Sequence, residues 1–147
     1  MRGMAGLAIA LIGALLIALS SGWTDGRAEG MKIRFKIGDA DVIVALADNA
    51  TSRDLVALLP LRLSLEDYGA IEKIGYPPRK LSTEGAPSGT TPSAGDVSYY
   101  GPWGNLAFFR KGFSHSPGLI ALGKIESGLD ALNTTGRVEV LIERLDP

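Results

Sequence analysis

The feature that most constrains the fold is the stretch Gly95 to Lys111, G-D-V-S-Y-Y-G-P-W-G-N-L-A-F-F-R-K. Two apolar runs, Val97 to Tyr100 and Leu106 to Phe109, flank Gly101-Pro102-Trp103-Gly104-Asn105. Proline removes a backbone donor and glycine tolerates backbone angles closed to other residues, so the middle reads as a tight connection and the flanks as paired strands. Five of the chain's ten aromatic residues lie here: Tyr99, Tyr100, Trp103, Phe108 and Phe109. An isolated two-stranded hairpin is marginal, so the rest of the chain has to supply further strands around it.

Those strands are legible. Lys32 to Ile37 alternates, with Ile33, Phe35 and Ile37 on one face and Lys32, Arg34 and Lys36 on the other, as in a half-buried strand. Gly38-Asp39 gives a turn, and Val42 to Leu46 the hairpin partner. Thr51 to Asp54 resembles a capping box, opening a short helix that Leu55, Val56, Leu58 and Leu59 make amphipathic and Pro60 ends. Leu61 to Leu65 returns to strand, and Glu66 to Tyr76 is ambiguous, with Ile71 and Ile74 its buried points. Ser82 to Gly95, rich in Gly, Pro, Ser and Thr, reads as a long structureless loop. A strand over Leu119 to Ile125, one helical turn over Gly128 to Leu132 and a closing strand over Arg137 to Leu145 complete the chain. Seven or eight short strands without a βαβ rhythm predict a mainly β fold, an antiparallel barrel with two short helices.

The first thirty residues differ. Arg2 precedes an uncharged apolar run from Met4 to Leu19, and small and polar residues follow. This is the pattern of a secretory signal peptide over residues 1–28, with cleavage after Ser20 or after Ala28, and it places the domain, residues 31–147, in the periplasm or outside the cell. A membrane is a partner only if the leader stays uncleaved, and Met31 as the true start is the remaining alternative. The whole chain carries a formal net charge of −1. Its basic residues are dispersed, so no stripe for tracking phosphates forms and nucleic acid is not an expected partner. With no cysteine, disulfides and thiolate metal sites are excluded. No P-loop or dinucleotide fingerprint is present, so no cofactor is expected.

Three stretches, in chain order, resemble cyclophilins. Leu46-Ala47-Asp48 with Thr51, Asp54, Leu55 and Leu58 is similar to the family's L-F-A-D-x-x-P-x-T-A-x-N-F-x-x-L, with a shortened turn. Gly101 to Phe109 resembles G-P-N-T-N-G-S-Q-F-F, one residue shorter. Leu122 to Asp130 matches the spacing of F-G-x-V-x-x-G-M-D. The domain looks most like compact bacterial cyclophilin-like proteins of unassigned function, which carry similar T-x-x-D-L-x-x-L-L-P, E-K-I and Y-x-P-W-G-N-L-A segments. The resemblance implies a closed antiparallel barrel with a helix at each end. It also shows what is missing. The prolyl isomerase stretch F-H-R-x-x-x-x-F-M-x-Q-G-G, whose arginine assists amide rotation, has no counterpart between Tyr68 and Asp96, where Arg79 is the nearest arginine besides Arg62. The family's glutamine before F-F is Ala107 here, and its groove histidine aligns with Leu119; the aromatic at Phe109 carries over.

The expected ligand-binding residues are Tyr100, Trp103, Phe109, Phe113 and His115. Trp103 lies in a turn between glycines, where an aromatic meets ligands more readily than core, whereas Tyr99 and Phe108 read as core. Arg110, a conceivable amide donor, falls on the opposite strand face from Phe109. His115, the only histidine, reads as an exposed loop residue, and one histidine cannot build a multi-histidine metal site. Asp39 fits a turn, Glu66 and Asp67 fit the cap of a helical turn, and Glu72-Lys73 fits a solvated face better than a buried ion pair. The function this predicts is an exported, non-catalytic module that binds a small molecule or a proline-containing, extended peptide. A prolyl isomerase with non-standard catalytic residues is the alternative. An assembly role is a third reading, favoured by a barrel filled with side chains and lacking any pocket.

Overall fold

The computed structural model describes residues 30–145, so the expected leader over residues 1–28 lies outside the described residues. Eight strands close into an antiparallel barrel in the order β1-β10-β3-β4-β7-β6-β9-β2. In chain order these are β1 (Lys32–Ile37), β2 (Ala40–Leu46), β3 (Leu61–Tyr68), β4 (Glu72–Gly75), β6 (Asp96–Tyr100), β7 (Asn105–Phe109), β9 (Leu119–Ser127) and β10 (Val138–Leu145). Two further strands, β5 (Gly89–Thr90) and β8 (Ser116–Pro117), pair with each other outside the barrel. Closure leaves the barrel itself no free edge to template aggregation.

Among the described residues one α-helix is present, α1 (Ala50–Ala57), where two short helices were expected. The second expected helix is a 3-10 turn, Leu129–Leu132, entered through left-handed Gly128 at φ 88°. Its bonds run from Ala131 N–H to the Gly128 carbonyl and from Asn133 N–H to that of Asp130, a three-residue spacing that four residues satisfy before an α-helical ring can propagate. Helix α1 is capped two residues earlier than the expected box. Asn49 is its N-cap, accepting from Ser52 N–H at 2.8 Å, while Thr51 donates to the Ser82 carbonyl at 2.6 Å.

The barrel interior is filled. Ile33, Phe35, Val42, Val44, Leu65, Leu106, Phe108, Leu122 and Ile142 are buried there, and the Phe35 and Phe108 rings meet edge to face at 4.9 Å. Tyr99 belongs to this core, its hydroxyl accepting from Leu81 N–H at 3.0 Å.

A charged cluster plugs one end. Strand alternation sends Asp67, two residues after Leu65, and Lys73, paired with Phe108, to the inner side. The Lys73 ammonium, fully buried, donates to Asp67 Oδ1 at 2.8 Å and to the Gly136 carbonyl at 2.6 Å. Asp67 also accepts from Arg110 Nη2 at 2.8 Å and from Gly136 N–H at 2.6 Å. These bonds hold the Asp67 carboxyl well below the ordinary range, the Lys73 hydrogen bond contributing most. Two expectations are corrected here. Glu66 and Asp67 end strand β3 and cap no helix. Lys73 is not on a solvated face; consecutive strand residues point opposite ways, so it pairs inward with Asp67 while Glu72 points outward.

Candidate functional site

A cleft of about 480 Å³ lies on the outer face of β4 and β7, beneath the β6–β7 turn and the segment before β9. All five expected site residues, Tyr100, Trp103, Phe109, Phe113 and His115, line it. Phe109 reaches this face because its neighbour Phe108 turns inward; with Ala107 and Leu119 it forms a second, smaller buried cluster, against which Ile71, Ile74 and Tyr100 pack. That cluster is the floor. Trp103 and Phe113 stand at the rim, 49% and 52% exposed, and Tyr68 opposite is 49% exposed. The Trp103 ring meets Tyr68 at 5.5 Å and Tyr100 at 5.4 Å, both nearly perpendicular. Exposed aromatics grouped around an apolar floor are the unusual observation; singly they would need no explanation.

The loop expected to be structureless backs the wall that Phe113 and His115 to Pro117 form. Gly89 and Thr90 pair with Pro117 and Ser116, and Phe113 N–H donates to the Pro92 carbonyl at 3.1 Å. Gly89 has to be glycine, because a Cβ there would sit 2.5 Å from the Ser116 carbonyl oxygen. Arg79 anchors the loop's start through a two-pronged pair with Asp54 of α1 at 2.7 and 2.8 Å, and Ser82 N–H donates to the same carboxylate at 2.7 Å. These bonds lower the Asp54 pKa to about 2, the Arg79 hydrogen bond foremost.

The polar lining is sparse: Glu72, Asn105, His115 and Ser116. Burial raises the Glu72 carboxyl above the ordinary glutamate range. Asn105 is 2% exposed; its Nδ2 donates to the Leu106 carbonyl at 3.1 Å, and its Oδ1 has no partner. His115 is exposed, with Nδ1 3.4 Å from Thr91 Oγ1. No arginine or lysine lines the cleft. Among the described residues, no group of three His, Asp or Glu is placed to hold a metal ion.

The model of the Cyclophilin-like family matches residues 35–143, which include every barrel residue that borders the cleft. The chain belongs to the cyclophilin-like family. A hypothetical protein of Archaeoglobus fulgidus, solved in solution, has a similar structure: TM-score 0.58, 18% identity, covering 80% of this chain and 96% of that one. At that identity the likeness shows the fold alone. Among curated proteins, none matches this chain.

In this cyclophilin-like barrel, Ala107, Phe109 and Leu119 fall together as the cleft floor. These are the positions that the resemblance to prolyl isomerases aligned with a glutamine, a phenylalanine and a histidine. Of these three positions, only the one at Phe109 has the residue type the resemblance implies. Arg110 is bonded to Asp67 and Arg79 to Asp54, so neither guanidinium serves the cleft.

Sequence reasoning missed Tyr68, Glu72 and Asn105 as lining residues. Tyr68 and Glu72 flank the turn between β3 and β4, inside the segment whose register was ambiguous. Asn105 did carry a signal: it shares strand parity with Ala107 and Phe109.

Proposed function

We propose that this chain is an exported binding module that takes a small molecule or an extended peptide in the cleft at Trp103 and Phe109, without catalysis. The observation that carries the binding reading is the position of the cleft. The barrel interior is packed, yet outside it exposed Trp103 and Phe113 frame an apolar floor of Phe109 and Leu119. Cavities of a few hundred cubic ångströms with mostly apolar walls and few polar groups are the common form of ligand site. The filled interior alone would suit an assembly role, but the outer cleft is the pocket that role does without.

The isomerase alternative needs a donor that weakens amide resonance against a barrier of about 18–20 kcal/mol. The lining offers no guanidinium or ammonium for that purpose. The export part rests on residues 1–28 alone, and cell fractionation with N-terminal mass analysis tests it.

Exchange NMR of the full chain with an Ala-Pro peptide separates the two functions. Uncatalysed exchange takes tens of seconds or longer, so weak catalysis is visible as cross-peaks between isomers. The proposal expects none. A fragment panel titrated against the same sample is expected to move the Trp103 indole signal, and Trp103→Ala to abolish binding of each hit. Isomer cross-peaks would replace the module by an enzyme; unchanged affinity in Trp103→Ala would move the site elsewhere.

A further inference from the structure

We infer that the occupant of the cleft is a small organic amine, its ammonium beside Glu72 and its apolar body against Trp103 and Phe109. The inference rests on the reading of the cleft as a binding site and adds the chemistry of the ligand.

Charge complementarity carries it. Among the described residues, the Glu72 carboxylate forms no ion pair, whereas Lys73, Asp67 and Arg110 of the neighbouring inner cluster are paired with one another. Asn105 adds a buried oxygen that accepts nothing. Glu72 is thus the one carboxylate of the lining and has no cationic partner there, so a ligand that fills the cleft is favoured when it brings one. A carboxylate or phosphate ligand would face Glu72 directly. A neutral ligand would exclude water from that carboxylate without replacing the lost hydrogen bonds, which is unfavourable. An ammonium compensates the charge and donates three hydrogen bonds.

The aromatic wall points the same way. Trp103 stands nearly perpendicular to both Tyr68 and Tyr100, so three rings present faces in more than one direction around the mouth. Ring faces attract cations within about 6 Å, tryptophan most strongly. Burial that raises the Glu72 pKa is relieved when a cation arrives, which favours the ionised carboxylate in the complex. The volume of about 480 Å³ suits a single small molecule.

The test uses the full chain and two probes of like shape, phenethylammonium and 2-phenylethanol, at a pH above the histidine range. Isothermal titration gives affinity, and the Trp103 indole N–H signal, assigned by its loss in Trp103→Phe, gives location. Phenethylammonium is expected to shift Trp103 and to bind at least about tenfold more tightly than 2-phenylethanol, as a charge-assisted contact would produce. Glu72→Gln is expected to erase that difference, weakening phenethylammonium and, by removing the charge that a neutral ligand desolvates, strengthening the alcohol. Equal affinity for the two probes, or a preference that survives Glu72→Gln, overturns the amine inference and leaves the binding module standing. No Trp103 shift with phenethylammonium at millimolar concentration also overturns it; the fragment panel then decides whether the cleft binds anything. A Lys-containing tripeptide that binds more tightly than phenethylammonium would reassign the occupant from a free amine to a peptide.

Discussion

Two neighbouring pairs, Lys73 with Phe108 and Glu72 with Phe109, lie one residue apart on the same ladder and meet opposite fates. Lys73 and Phe108 point into the barrel. Glu72 and Phe109 point out into the cleft. The inner charge is buried completely, and its ammonium has Asp67 and a carbonyl within hydrogen-bonding distance. The outer carboxylate is partly buried and, among the described residues, forms no ion pair. A satisfied buried charge holds a structure together, whereas an unsatisfied one at a cleft is costly to the free protein and useful only to a partner.

The sharpest way to break this comparison is to truncate both rings. Phe108→Ala is expected to cost about 3–5 kcal/mol, the usual penalty for a large cavity in a closed core. Phe109→Ala should cost clearly less, because the space it leaves opens to a cleft that water already reaches, while ligand binding is lost. Urea denaturation of both variants checks the order. Equal losses would mean that the outer cluster is core as well.

The two charges come next. Lys73→Ala leaves Asp67 with Arg110 and the Gly136 N–H, but it removes one of that carboxylate's two cations, strips the Gly136 carbonyl of its donor and opens a cavity, and it is expected to destabilise by about 3 kcal/mol. Glu72→Gln should leave stability unchanged or raise it, since it removes a desolvated charge with no partner. Thermal melts at neutral pH give both answers. A large loss in Glu72→Gln would make that carboxylate structural.

Gly89→Ala is expected to have a smaller effect, about 1–2 kcal/mol, by forcing apart β5 and β8. Its signature would be weaker ligand binding from a displaced wall, read by the same titrations.

The smallest expected effect is a pH slope. The Asp54 pKa is about 2 in the fold, below its ordinary value of 3.8, so the stability it contributes is complete above about pH 4 and is lost as pH falls toward 2. Asp54→Asn should flatten the acid limb there. Glu72 has the opposite sign: its folded pKa lies above 4.5, so it lowers stability as pH rises past that value, and Glu72→Gln removes the drop.

Much of the barrel was legible because its signals are local. Lys32 to Ile37 alternates cleanly, Gly38-Asp39 makes its turn, and the Gly101–Asn105 connection fixes the central hairpin; each needs only neighbours in sequence. The resemblance then ordered the strands. The Lys73–Asp67–Arg110 cluster was hidden because its bonds span up to 69 residues to Gly136 and depend on the register of β3 against β4. The same register hid Glu72 and Tyr68 from the site, although the aromatics of the opposite wall, Trp103 and Phe109, announced themselves within one hairpin. The long loop looked structureless because a two-residue ladder such as Gly89–Thr90 with Ser116–Pro117 leaves no periodic pattern to read.

The measurement that tests the central claim most directly is a chemical-shift map of the full chain during titration with the fragment panel. The account predicts shifts at Glu72, at Tyr100 to Asn105 and at Phe113 to Leu119, with the inner-facing Lys73 and Phe108 side chains unmoved. Shifts centred on any other surface, or none across the panel, would contradict it.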